Sequence, residues 1–212
     1  MKIAIIGAGN VGGTLGANWA QRGHDVYFGV RDPQAEKIRT LLGKIGAKAR
    51  AVSPADAAAA CEMIVLSTPW PATEGAIRSL GNIKGKIILD ATNPLTRGSD
   101  GIALEIGHSI SAGEKVQGWA AGASVFKTLN TTGFGNMANP VFNGVKSVMF
   151  VAGDDAANKP KVMSLVGELG FEAIDAGPLR NARLLEAHAM LWIDLALVRG
   201  QGRDFAFGIL RR

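Results

Sequence analysis

Short apolar runs alternate along this chain with longer segments of helical period, and this alternation restricts the possible folds more than any other feature. The runs IAII, MIVL and KIIL are almost continuously apolar, as is typical of strands buried on both faces of a sheet. Strands are predicted at Lys2–Ile6, Asp25–Phe28, Lys48–Ala51, Met63–Ser67, Lys86–Asp90, Ser124–Leu129, Ser147–Ala152 and Phe171–Asp175. With helices between most of these strands, the pattern predicts an α/β chain with a doubly wound, mostly parallel sheet.

Helices are predicted at Asn10–Arg22, Pro33–Leu42, Pro54–Ala60, Pro71–Leu80 and Asn158–Leu169. Three of them begin with proline, which the first turn of a helix tolerates because the missing N–H would have no partner there. Asp32 and Ser53 precede two of these prolines and are suited to cap the helices that follow. The composition changes after Gly177, where an apolar tail of helical period begins. We therefore predict a sheet domain at residues 1–177 and a helical extension at 178–212.

The composition is that of an ordinary globular protein. The chain has 212 residues, of which 47% are hydrophobic and 19% charged, so it can bury a core and is not expected to be disordered. The net charge is +5, but the basic residues are scattered, so no nucleic-acid partner is expected. No apolar stretch approaches the roughly 18 residues of a membrane span. A cytoplasmic protein without a membrane partner is the expectation.

Cysteine and histidine content argues against a metal centre. Cys61 is the single cysteine and precedes an apolar strand, so a buried structural role is expected. The three histidines, His24, His108 and His188, are far apart in the sequence and lack the spacing of metal ligands. We predict no bound metal.

Residues 7–12, GAGNVG, follow the first strand directly and open the first helix. This is the G-x-G-x-x-G pattern of dinucleotide binding in the structural context that makes it specific. Gly7 permits a tight turn, Gly9 allows the backbone to approach a pyrophosphate, and Gly12 allows the helix to pack on the strand. The pyrophosphate is expected at the N-terminus of this helix, with contacts from Ala8, Asn10 and Val11. The motif predicts an NAD(P)-binding Rossmann fold.

The end of the second strand indicates which dinucleotide is bound. An acidic residue at this point would bind the ribose of NAD, whereas an arginine would pair with the 2′-phosphate of NADP. Gly29 and Val30 carry no acid, and Arg31 follows them. Its planar guanidinium suits a phosphate, and Lys37, or less readily Arg39, adds a second positive charge. NADP(H) is therefore favoured, with Asp32 interpreted as a helix cap.

Three further loops follow the predicted carboxyl ends of strands, where open α/β sheets bind their ligands. They are 67–70, 91–94 and 128–132, and their candidate binding residues are Thr68, Pro69, Trp70, Ala91, Asn93, Pro94 and Asn130. The polar side chains can hydrogen-bond a carboxamide or a ribose, and the prolines fix the shapes of the loops. Two alternatives stay open for Trp70, which either stacks on a ring or covers the sheet. Asn93 before a proline is also consistent with simple turn chemistry.

No catalytic residue can be assigned from these loops. They carry no Ser-His-Asp set, no carboxylate pair and no clear catalytic lysine. Lys127 lies inside a predicted strand and either serves the site or extends toward solvent. His188 is the one histidine worth testing for chemistry, although packing is the expected role. Hydride transfer between cofactors fits this pattern, because there the protein supplies mainly orientation and exclusion of water.

The chain resembles the F420-dependent NADP reductase family, which contains archaeal NADPH:F420 oxidoreductases and bacterial relatives. It is also similar to the reductase domain of the STEAP metalloreductases. The resemblance covers essentially the whole chain and is carried by IAIIGAGNVGGTLG, FGVRD, LSTPW, KIILDATNPLTRG and AIDAGPLRNARLLE. It implies that the three fingerprint glycines bind pyrophosphate, that Arg31 binds the 2′-phosphate, and that residues 68–70 lie near the nicotinamide.

The sequence departs from this family where the acceptor would bind. Relatives often have serine at the position of Val30, and the archaeal enzymes typically have histidine at that of Asn130. Asn93 and Pro94 also differ. The resemblance implies an NADPH-dependent reductase that passes hydride to a flavin-like, small-molecule acceptor, either coenzyme F420 or FMN/FAD. A flavin-assisted ferric reductase and a non-catalytic NADP(H)-binding redox sensor remain as alternatives.

The apolar tail bears on oligomeric state. Only 35 residues follow Gly177, too few for a second domain of typical size. Its apolar side chains would bury poorly on one small subunit, so a homodimer is predicted. Packing of the tail on its own subunit is the alternative.

Overall fold

An open sheet lies at the centre of the structure, a computed structural model that describes residues 1–98 and 101–212. Strands in these ranges are β1 (Lys2–Ile6), β2 (Asp25–Gly29), β3 (Ala49–Val52), β4 (Met63–Leu66), β5 (Ile87–Asp90), β6 (Leu95–Gly98), β7 (Gly101–Leu104), β8 (Ser124–Lys127), β9 (Val141–Phe142), β10 (Val145–Lys146), β11 (Val148–Gly153) and β12 (Glu172–Asp175). Helices in the same ranges are α1 (Asn10–Gln21), α2 (Glu36–Ile45), α3 (Pro54–Ala60), α4 (Trp70–Arg78), α5 (Ala112–Trp119), α6 (Phe134–Ala138), α7 (Lys159–Glu168) and α8 (Ala182–Ile193).

The strand order confirms the predicted doubly wound fold. The described strands of the main sheet run in the order β12-β11-β8-β5-β4-β1-β2-β3. All neighbours from β3 to β8 are parallel, β11 is antiparallel to β8, and β12 is parallel to β11. The chain winds outward from β1 to β3 and then in the opposite direction from β4 to β8. The carboxyl ends of β1 and β4 therefore form the switch point at which such sheets bind ligands.

Alternating residues of β1 supply the two apolar layers of the core. Ile3 and Ile5 face a layer closed by α1 and α7, whereas Ala4 and Ile6 face one closed by α3, α4 and α5. The indole Nε1 of Trp19 also donates to the backbone oxygen of Leu165 at 3.2 Å and ties α1 to α7. Burial on both faces explains why the central strands are almost continuously apolar.

Two predicted elements need correction. The helix predicted at Pro33–Leu42 is wrong at both ends, since α2 begins at Glu36 and ends at Ile45. Oδ1 of Asp32 accepts from Gln34 N at 2.9 Å, so Asp32 shapes the preceding turn and does not cap a helix starting at Pro33. The strand predicted to reach Leu129 ends at Lys127, because Leu129 has a φ of +57°. The other predicted elements differ at either end by at most two residues, and Ser53 caps α3 as predicted.

Several elements were not predicted. They are α5, α6 and the hairpins β6–β7 and β9–β10. Two glycines within α5 weaken its helical pattern. Its start carries a detectable signal, since Ser111 and Glu114 form a reciprocal capping box.

The segment after Gly177 contacts β8 and β11 through its first turn and packs a helix against α5. A 3₁₀ turn at Leu179–Asn181 leads into α8, which continues as a π-helical turn at Asp194–Val198. Residues 199–212 form no helix, so the helical extension is shorter than predicted; Gly200 and Gly202 have positive φ there. The division at Gly177 stays a prediction. Within the described ranges, no helix is long and apolar enough to cross a membrane.

Candidate functional site

A cleft of about 960 Å³ opens at the carboxyl ends of β1, β2 and β4. It brings together residues from three separate loops that the sequence analysis had singled out. The predicted site residues that line it are Gly7, Ala8, Val30, Arg31, Lys37, Thr68 and Pro69. The cleft therefore lies at the switch point of the sheet.

The glycine turn at the end of β1 has steric reasons for two of its glycines. Gly7 has a φ of +104°, and a Cβ at Gly12 would lie 2.0 Å from the carbonyl oxygen of Gly7. A Cβ at Gly9, by contrast, would meet no atom within 4 Å. The fold itself does not demand glycine at that position, which leaves space for a ligand to approach the backbone.

The N-terminus of α1 follows this turn and is electrostatically open. Gly9 is the N-cap, no side chain of the described residues caps the helix, and the first turn, where Asn10 and Val11 lie, contains no acidic residue. Residues 9–12 lie outside the lining of the cleft, next to Gly7 and Ala8. The free N–H groups and the positive end of the helix dipole thus suit an anion. A pyrophosphate fits this arrangement.

Two positive charges line the part of the cleft near β2. Arg31 and Lys37 are exposed, and within residues 1–98 and 101–212 neither forms an ion pair with a carboxylate. Asp32 also lines the cleft, but its Oδ1 is engaged with Gln34 N. The backbone N–H of Val30 donates to Val52 O at 3.0 Å, and Val30 lines the cleft with an apolar residue. The pair of cations fits the 2′-phosphate of NADP.

The loop after β4 forms another wall of the cleft. Thr68 Oγ1 shares a hydrogen bond of 2.9 Å with Thr73 Oγ1, which donates to Pro69 O at 3.2 Å. Trp70 is buried and packs against Trp119, with 5.4 Å between ring centroids. Of the two alternatives left open for Trp70, the structure shows packing over the sheet.

The loops after β5 and β8 meet farther along the same edge of the sheet, outside the lining of the cleft. Asn93 Nδ2 donates to Asn130 O at 2.9 Å, and Asn130 Nδ2 donates to Asn93 Oδ1 at 3.1 Å. Ala91 and Pro94 are buried in the first of these loops. Among the described residues, Asn130 Oδ1 is buried without a hydrogen-bond partner. Its acceptor position is unused within the described part of the chain.

Lys127 lies beneath these loops and does not extend toward solvent. Its side chain is 0% exposed, and Nζ lies 2.9 Å from Asp90 Oδ2 and 2.9 Å from Glu186 Oε1. Burial acts to lower the pKa of Lys127, but the carboxylates of Asp90 and Glu186 outweigh burial and hold the pKa above its usual value. The ammonium is therefore charged.

The sequence analysis assigned no role to Asp90 or Glu186. Asp90 ends the otherwise apolar strand IILD, and Lys127 ends the strand SVFK. Charged residues at the ends of buried strands are a signal for such a pair. Glu186 offers no comparable signal, because a glutamate in a helix usually faces solvent.

The remaining titratable candidates lie away from the cleft. His188 packs between Phe150 and Phe207, with 5.6 and 4.4 Å between ring centroids, and burial lowers its pKa. Burial raises the pKa of the Cys61 thiol to about 11. His24 is buried and contacts the amino group of Met1 at 3.1 Å. Across residues 1–98 and 101–212, no cluster of three or more His, Cys, Asp or Glu could hold a metal ion.

Comparisons with known proteins point to one family. Residues 2–94 match the family described as NADP oxidoreductase, coenzyme F420-dependent. A solved structure from Arthrobacter sp. FB24, described provisionally as an F420-dependent NADP reductase, is 35% identical with a TM-score of 0.91 and full coverage of both chains. The F420-dependent NADP reductase of Methanothermobacter marburgensis is 27% identical over 92% of each chain. Metalloreductase STEAP3 of Rattus norvegicus is 24% identical over 88% of this chain and 36% of its own.

Proposed function

Because the chain belongs to the F420-dependent NADP reductases, a family of NADP-dependent oxidoreductases, we propose that it transfers hydride between NADPH and a flavin-like acceptor, coenzyme F420 or a flavin. One observation carries the cofactor assignment. The cleft is lined by Gly7 and Ala8, which directly precede the uncapped N-terminus of α1, and by two cations that have no carboxylate partner in the described part of the chain. These two features match the two groups of phosphates in NADP(H).

The fingerprint residues would hold the pyrophosphate in this proposal. Gly9 would give the ligand access to the backbone, because a Cβ there would meet no described atom within 4 Å, and the uncapped first turn of α1 would supply N–H donors. Arg31 and Lys37 would hold the 2′-phosphate. Val30 takes no part through its side chain, because it is apolar, so it only shapes the wall.

The nicotinamide would lie toward β5 and β8, on the other side of the switch point from Arg31. Thr68 and Pro69 line the cleft on that side, and Asn130 Oδ1 offers the acceptor that a carboxamide N–H needs. Asn93 holds Asn130 in place. Bound NADPH supplies the hydride; the protein orients the ring and excludes water.

The identity of the acceptor remains part of the proposal. Asn93 and Asn130 lie in the two loops where this sequence departs from its archaeal relatives. A free flavin is therefore a candidate acceptor beside F420. The similarity to a metalloreductase favours one second candidate, reduction of a ferric chelate assisted by flavin. The proposal places the protein in the cytoplasm, with access to NADPH.

We also propose a homodimer formed through α8 and the turn that follows it. Leu184, Leu191 and Val198 are 67%, 52% and 55% exposed on this segment, and Leu197 is exposed beside them. A row of exposed large apolar residues is typical of an interaction surface, and a homodimer would cover it with the same surface of a second copy. Light scattering coupled to size exclusion should give twice the mass of one chain. A Leu184→Lys/Leu191→Lys variant should run as a monomer.

Anaerobic oxidation of NADPH by the purified protein tests the proposal. F420, FMN, FAD and a ferric chelate with and without flavin are offered separately, and NADH is run in parallel. Rapid oxidation with F420 or a flavin supports the proposal and identifies the acceptor. Oxidation that requires the ferric chelate supports the second candidate. Tight binding of NADPH without turnover on any of them would contradict both and leave a redox sensor.

A further inference from the structure

A buried ionic network joins the loop after β5 to the C-terminal helix. Lys127 Nζ contacts Asp90 Oδ2, Glu186 Oε1 and the backbone oxygen of Thr92, the last at 2.6 Å. The side chains of Lys127 and Asp90 are fully buried and that of Glu186 is 1% exposed. An ammonium has three donors, and all three are engaged within the protein. Lys127 therefore has no donor left for a substrate.

Thr92 is held from three sides by this network. Its N–H and its Oγ1 both donate to Asp90 Oδ1, at 3.0 and 2.6 Å, and its carbonyl oxygen accepts from Lys127. Asn93 is the next residue, and its amide pairs with Asn130. The position of the asparagine pair thus depends on Lys127 and Asp90.

Glu186 connects the same lysine to two helices. Its Oε2 accepts from Ala112 N at 2.9 Å and its Oε1 from Gly113 N at 3.0 Å, at the start of α5. The network holds two carboxylates and one ammonium, and the positive end of α5 compensates the excess negative charge. Asn130 Nδ2 also donates to Leu185 O at 3.3 Å. Both loops are therefore fixed against α8.

We propose that Lys127 is a positioning residue for hydride transfer, which holds the Thr92–Asn93 backbone and through it the Asn93–Asn130 pair against which the nicotinamide is aligned. This inference rests on the proposed function for the reaction it serves. A lysine with a purely structural role would change only the amount of folded protein. A positioning lysine changes the rate of transfer in the folded fraction and spares cofactor affinity, because the phosphate-binding residues lie on the other side of the switch point.

The Lys127→Met variant of the full chain tests this role, with Lys159→Met as the matched control. Lys159 likewise pairs with a carboxylate, Asp175 at 2.7 Å, and donates to a backbone oxygen, that of Gly177 at 2.9 Å, but it lies outside the site. The measurements are the Kd of NADPH by calorimetry, the fluorescence lifetime of bound NADPH, and the single-turnover rate with the acceptor that the wild type uses.

For Lys127→Met we expect a Kd within about threefold of wild type and a single-turnover rate lowered at least tenfold, since a shift of about 1 Å at the reacting groups can cost about a hundredfold. The lifetime of bound NADPH should shorten, because the ring is less firmly held. Lys159→Met should match the wild type in all three measurements.

A second variant covers the case in which Lys127→Met does not fold. Asp90→Asn/Lys127→Met removes the ammonium together with one carboxylate and keeps Glu186 on its two backbone N–H donors, so it leaves less uncompensated buried charge than Lys127→Met alone. It should fold, bind NADPH and still transfer hydride slowly, because the Thr92 carbonyl has lost its anchor. Wild-type rate and lifetime in either folded variant would overturn the positioning role. Wild-type protein that binds NADPH but reduces no acceptor would overturn the proposed function and, with it, the role of Lys127 in transfer. A shortened lifetime in Lys127→Met would then show only that Lys127 helps to hold the bound nicotinamide.

Discussion

Replacing Arg31 with alanine should weaken the binding of NADPH far more than that of NADH. Arg31 lines the cleft beside Lys37 and has no carboxylate partner in the described chain, so its charge is available to the 2′-phosphate. A charge-assisted hydrogen bond contributes about 1.5–3 kcal/mol. This corresponds to roughly a 10- to 150-fold increase in the Kd of NADPH. Because Arg31 is exposed, the lower part of this range is expected.

Calorimetric titration of both dinucleotides at fixed ionic strength measures this difference. Arg39→Ala is the matched control, because Arg39 is an exposed arginine in the neighbouring helix α2 that does not line the cleft. The Kd of NADH should change less than about twofold in Arg31→Ala, since NADH has no 2′-phosphate to lose a contact. Equal losses for the two dinucleotides, or an equal effect of Arg39→Ala on NADPH, would refute the reasoning.

Three further predictions follow from single contacts. Gly12→Ala would place a Cβ 2.0 Å from a backbone oxygen, so it should cost about 1–3 kcal/mol and lower the Tm in calorimetry. Gly9→Ala meets no described atom and changes only an N-cap, so it should lower the Tm less and weaken the binding of NADPH and NADH alike. Cys61 is buried with a thiol pKa of about 11, so a thiol reagent at neutral pH should label it only in denaturant; fast labelling of native protein would contradict this burial. The hydrogen bond from Arg183 lowers the pKa of Glu114 to about 2 from its ordinary 4.5, so this stabilisation is complete above pH 4.5 and is lost as the pH falls toward 2. Arg183→Gln should therefore have a lower free energy of unfolding than the wild type at pH 7, and should lose less of it between pH 4.5 and 2, as denaturant titrations would show. The same pH dependence in both proteins would show that the ion pair contributes nothing.

The first half of the fold could be predicted well because its signals are local. The glycine turn, the strand before it and the helix after it all lie within twenty residues, and Gly7 and Gly12 have steric reasons that the motif already carries. Arg31 and Lys37 line the same cleft because they follow β2, the next strand after this helix. The error at Asp32 arose because an aspartate before proline suits both a helix cap and a turn, and the turn formed.

The acceptor side of the site could not be predicted to the same extent, because it depends on contacts between distant residues. Glu186 lies in a helix that looks amphipathic, and only the folded chain places it on Lys127 and on the start of α5. The pairing of Asn93 with Asn130 likewise joins two loops that parallel strands bring together. Leu129 has a positive φ, and β8 ends before it. The sequence gives no signal for this, since leucine rarely adopts a positive φ.

Oxidation of NADPH that carries deuterium at the transferred position of the nicotinamide tests the central claim most directly. Each of the acceptors is mixed with the labelled and the unlabelled cofactor under anaerobic single-turnover conditions. The account predicts reduction of F420 or a flavin that is slower with deuterium than with hydrogen, and no comparable rate with NADH. Binding of NADPH without oxidation by any acceptor, or oxidation at equal rates for NADPH and NADH, would contradict it.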